Sequence, residues 1–240
     1  SSTTVSTYVF DGKVELVAIA FGLAAVFWLF RGFHAQLDRR DAILAGLFGG
    51  LATVTKFSLI PTLGLSMAVL LIWRIWAAAE PNGHSVRPAK VVIFAKVAAV
   101  MTGFALVAWL PQLLKNGVVF GASLAPFLGM PEGAAILDQT WFSPEVTRHI
   151  LATYPIALVF GRYPMQGGGL SPLVLALVPL AILLRPKWAY LRSPSGILLV
   201  AGCVAVVFWM IFRPSVFAPR YFLVSLLLVI PTTVMVAERV

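Results

Sequence analysis

Long apolar runs decide what this sequence can fold into. They lie near residues 14–30, 42–55, 57–76, 91–110, 170–184, 196–212 and 221–237. A helix needs about 20 mainly apolar residues to cross roughly 30 Å of hydrocarbon, so each run reads as a transmembrane helix. The expectation is an all-α integral membrane protein, a bundle of about seven spans. Because the runs recur along the whole length, residues 1–240 read as a single transmembrane domain. Composition agrees: 60% of residues are hydrophobic and 11% charged, against about 25% charged in soluble domains. No basic n-region precedes a short apolar segment, and both ends look cut. A segment of a longer polytopic protein is expected.

The net charge of +9 does not point to nucleic acid, because the basic residues form no block and sit between apolar runs. They act instead as a topology signal. Linkers 31–41 (Arg31, Arg39, Arg40), 74–96 (Arg74, Arg87, Lys90, Lys96) and 185–192 (Arg185, Lys187, Arg192) hold ten of the eighteen lysines and arginines. Short loops rich in Lys and Arg face the cytoplasm. The resulting topology is multi-pass, in a plasma or inner membrane, with the N-terminal stub outside and the C-terminus cytoplasmic. Trp28, Trp73, Trp76, Trp109, Trp188 and Trp209 fall near expected helix ends, where an indole keeps its N–H in the interface.

The stretch 42–61, AILAGLFGGLATVTKFSLIP, can be two helices joined by a tight external turn at Lys56 or one helix with a kink near Pro61. The turn is preferred. Segment 111–169 is too long and too rich in Pro and Gly for a simple turn, and reads as external. Within it, Ser143-Pro144-Glu145 forms an N-cap followed by proline at the first helical position, predicting a short surface helix from about 144 to 153. The single cysteine, Cys203, lies in an apolar run and is expected to pack in the core.

No P-loop, dinucleotide fingerprint, HExxH or GxSxG motif is present, and His34, His84 and His149 share no spacing. No metal site is readable and no cofactor is indicated. Ionisable residues at the outer helix ends are what remain. Asp11 either balances the dipole of the first helix or faces an outward cleft as a carboxylate that handles a hydroxyl or a proton. Lys56 either snorkels toward lipid headgroups or meets an anionic ligand such as the phosphate of a lipid-linked substrate. Arg213 and Arg220 flank the stiff connector FRPSVFAPRYF and either touch headgroups or clamp a phosphate through forked hydrogen bonds. Tyr221 belongs to the aromatic belt or to that site. Glu132, Asp138, Glu145, Arg148, His149 and Arg162 read as solvated loop groups.

Four passages together resemble a known family. GLFGGLATVTKFSLIP is similar to the GLxxGLAxxTK signature of polytopic GT-C glycosyltransferases of the dolichyl-phosphate-mannose protein mannosyltransferase and aminoarabinose transferase group. TYVFDGKVELVAIAF resembles the entry to that family's preceding membrane helix, GGGLSPLVLALVPLAILL its Gly-Pro-Leu helix, and APRYFLVSLLLVIP its late Arg-Tyr helix. Val224 stands where the family often has proline. The resemblance implies transfer of a sugar from a polyprenyl-phosphate donor to an unidentified acceptor at the outer face, with inversion at the anomeric carbon. It implies Lys56, Arg213, Arg220 and Tyr221 as substrate contacts and Asp11 as a supporting carboxylate. The family's acidic catalytic loop would lie ahead of Ser1, which places the main base upstream of this chain. Membrane lipids and the sugar-bearing polyprenyl phosphate are the expected partners. The alternative is a transporter or lipid flippase without enzymatic activity, which predicts polar residues at mid-membrane depth.

Overall fold

The computed structural model describes residues 14–31, 38–77, 87–121, 152, 193–212 and 223–229. Among the described residues every regular element is helical and no strand occurs: α1 (Val14–Phe30), α2 (Arg39–Thr55), α3 (Leu59–Ala77), α4 (Arg87–Phe120), α5 (Pro194–Phe212) and α6 (Leu223–Leu227). Stretches Leu59–Trp76 of α3 and Lys90–Val119 of α4 are long and apolar enough to cross a membrane. The expected helices at 170–184 and 144–153, and most of the run 221–237, lie outside the described residues.

Stretch 42–76 is two helices. α2 ends at Thr55, Lys56 adopts an extended conformation (φ −146°, ψ 101°), and α3 begins at Leu59. Pro61 therefore falls in the first turn of α3, where its missing N–H breaks no helical bond.

Small residues determine how the helices pack. α2 lies between α1 and α4, α3 pairs with α5, and α6 touches α5, α3 and α1. The buried face of α2 consists of Ala42, Ala45, Gly46, Gly49, Gly50 and Ala52. With no side chain in the way, the α4 backbone approaches closely: a Cβ on Gly46 would collide with the Met101 carbonyl, and one on Gly50 would lie 2.6 Å from that of Ala105. Glycines four residues apart are the spacing that lets two apolar helices meet backbone to backbone. Gly46 meets Met101, Gly50 meets Ala105 and Thr53 meets Trp109, so the two helices climb in step and run parallel. α3 returns in the opposite direction, bringing Arg74 back to the end of α1. Val224 of α6 is fully buried, and a Cβ on Gly22 would lie 2.9 Å from its Cγ2.

Three expectations change. α4 does not end near 110 but runs through Pro111 to Phe120, stopping at Gly121, whose φ of 68° suits glycine. Proline removes one donor from the ladder without ending it, because the turns on either side keep their own bonds. Arg74, expected in a linker, sits in the last turn of α3 and is 3% exposed. Cys203 is exposed, because α5 turns Ile197, Ala201, Ala205 and Trp209 inward at four-residue spacing and leaves Cys203 on the opposite side.

Candidate functional site

The α2–α3 turn gathers the polar and aromatic groups at one end of the described bundle. Three of its N–H groups are engaged. Lys56 N–H donates to Ala52 O at 3.0 Å, Leu59 N–H to Lys56 O at 3.0 Å and Ile60 N–H to Phe57 O at 3.0 Å. Pro61 has no N–H to offer. A helix N-terminus attracts anions through unsatisfied N–H groups; here the first three positions of α3 supply none. Recognition of an anion at this turn falls to side chains, and Lys56, half-exposed, is the cation in place.

Two contacts with α4 fix the turn. Trp109 Nε1 donates to Thr53 Oγ1 at 2.9 Å, and the Trp109 ring packs against Phe57 with centroids 5.3 Å apart at 49°. Thr53 Oγ1 in turn donates to the Gly49 carbonyl at 2.9 Å, with the Gly50 carbonyl at 3.0 Å as the other acceptor. Thr55 Oγ1 donates to Leu51 O at 2.7 Å. The last turn of α2 is thus held from within and from α4. Lys56 leaves a rigid base. Beside it, Ser58 Oγ is buried and meets no hydrogen-bond partner among the described residues.

At the opposite end, Arg74 Nη1 donates to the Leu29 carbonyl at 2.6 Å, covering one of the acceptors that the end of α1 leaves open. The charge of Asp41, in the first turn of α2, acts on the same guanidinium. Arg39 and Arg40 are exposed at this end, and Arg31 lies 5.0 Å from the centre of the Trp28 ring. Between the ends, Ser66 Oγ of α3 lies 3.3 Å from Ala201 O and 3.2 Å from Ser225 Oγ. With Ser66 donating to the carbonyl, Ser225 donates to Ser66, and both buried hydroxyls are satisfied.

Of the residues proposed from sequence, Lys56 stands in this site. Asp11, Arg213, Arg220 and Tyr221 lie outside the described residues, as do Glu132, Asp138, Glu145, Arg148, His149 and Arg162. Among the described residues no three His, Cys, Asp or Glu side chains come together. Sequence reasoning missed Thr53 and Trp109 as the turn's anchors. The available signal was the Gly46/Gly50 spacing, which announces a close helical partner, although it does not say which helix. Comparison with models of known families, with curated proteins and with solved structures found no match.

Proposed function

We propose that this chain is part of a multi-pass membrane glycosyltransferase that moves a sugar from a polyprenyl-phosphate donor to an acceptor at the outer face. The observation that carries the reading is Lys56, a cation held at a braced turn, at the end of the bundle opposite the arginines. A lipid-linked sugar phosphate has an apolar tail and an anionic head, and needs apolar helix surface with a fixed cation above it. As the sugar leaves, negative charge grows on the phosphate, and a cation already in position stabilises it without reorganisation. A carboxylate supplies the base for the acceptor hydroxyl, with Asp11 as a supporting group.

The same reading takes about seven spans, with the Arg39, Arg40 and Arg74 end cytoplasmic. The parallel course of α2 and α4, with α3 returning between them, supports this alternation. The transporter reading would use Ser66 and Ser225, a buried polar pair joining α3 and α6. Both are fully buried, bonded to each other, with Ser66 also bonded to Ala201 O, which suits a helix tie better than a solute path.

Transfer of radiolabelled sugar from a polyprenyl-phosphate donor by the full-length protein tests the proposal. Lys56→Ala and Arg220→Ala are each expected to reduce turnover by at least tenfold, with Lys56→Arg partly active. Unchanged turnover in both alanine variants would remove these residues from the site, and solute flux without transfer would favour the transporter.

A further inference from the structure

We propose that lipid acyl chains cover one continuous face of α4 from Lys96 to Val118, so that the helix beyond Pro111 lies within the bilayer and not outside it. This rests on the membrane reading above but moves its outer boundary. The first observation is an inverted polarity. In the last three turns of α4, Leu110 is 52%, Leu114 61% and Val118 87% exposed, whereas Asn116 is 2% exposed. Gln112 Nε2 donates to Asn116 Oδ1 at 2.9 Å, which ties the two amides across one turn. Water outside would favour the opposite arrangement, amides out and leucines in. Apolar side chains outward, with Asn116 inward and hydrogen-bonded to Gln112, is the arrangement hydrocarbon imposes.

The second observation is length. At 1.5 Å per residue the stretch from Lys96 to Val118 measures about 33 Å, close to the roughly 30 Å of a hydrocarbon core. Ala99, Gly103, Leu106, Leu110, Leu114 and Val118 form an exposed row between these ends. Lys96 and Lys115 are both exposed. They complement the two phosphate layers, Lys96 on the inner side and Lys115 by snorkelling outward from one turn below Val118.

The lipid boundary fixes the depth of the candidate site. α2 and α4 climb in step, with Gly46 beside Met101 and Gly50 beside Ala105. Lys56 is therefore level with Pro111, seven residues and about 10 Å beneath Val118. The turn is submerged. A phosphate that meets Lys56 is drawn below the plane of its neighbours, into a dent in the outer leaflet walled on one side by α4.

Nitroxide labels placed singly at Leu106→Cys, Leu110→Cys, Leu114→Cys, Val118→Cys, Gly121→Cys and Ile60→Cys, each with Cys203→Ser, test this on the full chain in phosphatidylcholine vesicles. Collision rates with oxygen and with a water-soluble nickel chelate report depth. The otherwise unaltered chain labelled at exposed Cys203 gives a reference that needs no substitution. Oxygen is expected to dominate at 106, 110 and 114, with nickel rising at 118 and 121, and with Ile60 about 10 Å deeper than Val118. Nickel dominance at Leu114 with oxygen dominance at Leu106 would overturn the proposal and leave the membrane reading standing. Nickel dominance at all positions, Cys203 included, would overturn both.

Discussion

Gly50→Ala is the most direct test of the α2–α4 contact. A Cβ at this position would meet Ala105 O at 2.6 Å, Ala105 Cα at 2.7 Å and Ala108 Cβ at 2.8 Å. Ordinary contact is about 3.5–4.0 Å, so the helices must separate by roughly 1 Å. Two of the three atoms are backbone, and no side-chain rotation relieves them. Overpacking of this kind costs about 1–3 kcal/mol, a factor of about 5 to 150 in the folded-to-unfolded ratio. Alanine is also the better helix former by up to about 1 kcal/mol, which would mask part of the loss. Gly103→Ala removes that ambiguity, because Gly103 has open space around it on the same pair of helices. The two variants share the propensity gain and differ in the collision. Unfolding in mixed detergent micelles titrated with dodecyl sulfate, followed by tryptophan fluorescence, should place Gly50→Ala about 1–3 kcal/mol below Gly103→Ala. Equal stability of the two would refute the close approach of α2 and α4. The Gly46→Ala/Gly50→Ala double variant should lose less than the sum, since one displacement relieves both clashes.

Trp109→Phe keeps a ring against Phe57 but deletes the N–H to Thr53, and should cost about 0.5–1.5 kcal/mol. Faster amide exchange at Lys56 and Phe57 than at residues of α5 would show that the loss falls on the turn. Arg74→Met keeps the apolar stem and removes the donor to Leu29 O; a loss of about 1.5–3 kcal/mol is expected for a charged hydrogen bond, read as a lower midpoint of thermal aggregation in detergent. Ser66→Ala and Ser225→Ala should be less than additive, with a coupling near 0.6 kcal/mol as for interhelical hydroxyl pairs in membranes. A double-mutant cycle with no coupling would separate the two hydroxyls.

Helix positions were legible because apolar run length is a strong signal: α1, α2, α3 and α5 lie within a few residues of their expected places. The break at Lys56 was legible too, from a charge and a nearby proline at the end of a run. The far end of α4 was not. Pro111, with Gln112 and Lys115 behind it, reads as the end of an apolar run, and only the structure shows the helix continuing to Phe120 with Asn116 buried. Arg74 was misplaced for a related reason: a basic residue near the end of a run reads as a loop charge, and its partner Leu29 O is a backbone atom 45 positions away. Of the candidate site, Lys56 stood out as a charge among apolar residues. Trp109 did not, because its role depends on the parallel register of two helices separated by a third.

The low side-chain content of the α2 face also bears on the order in which this protein is assembled. α2 carries Arg39, Arg40 and Asp41 in its first turn and glycine or alanine on much of its length, which makes it a poor candidate to be retained in a bilayer by its own hydrophobicity. The backbone it fits against belongs to α4, synthesised some 55 positions later. A nascent chain arrested before Arg87 would therefore present α2 to the insertion machinery with one of its two long flanks unmade. On the membrane reading proposed above, stable integration of α2 is timed by the arrival of α4 and not by the passage of α2 itself.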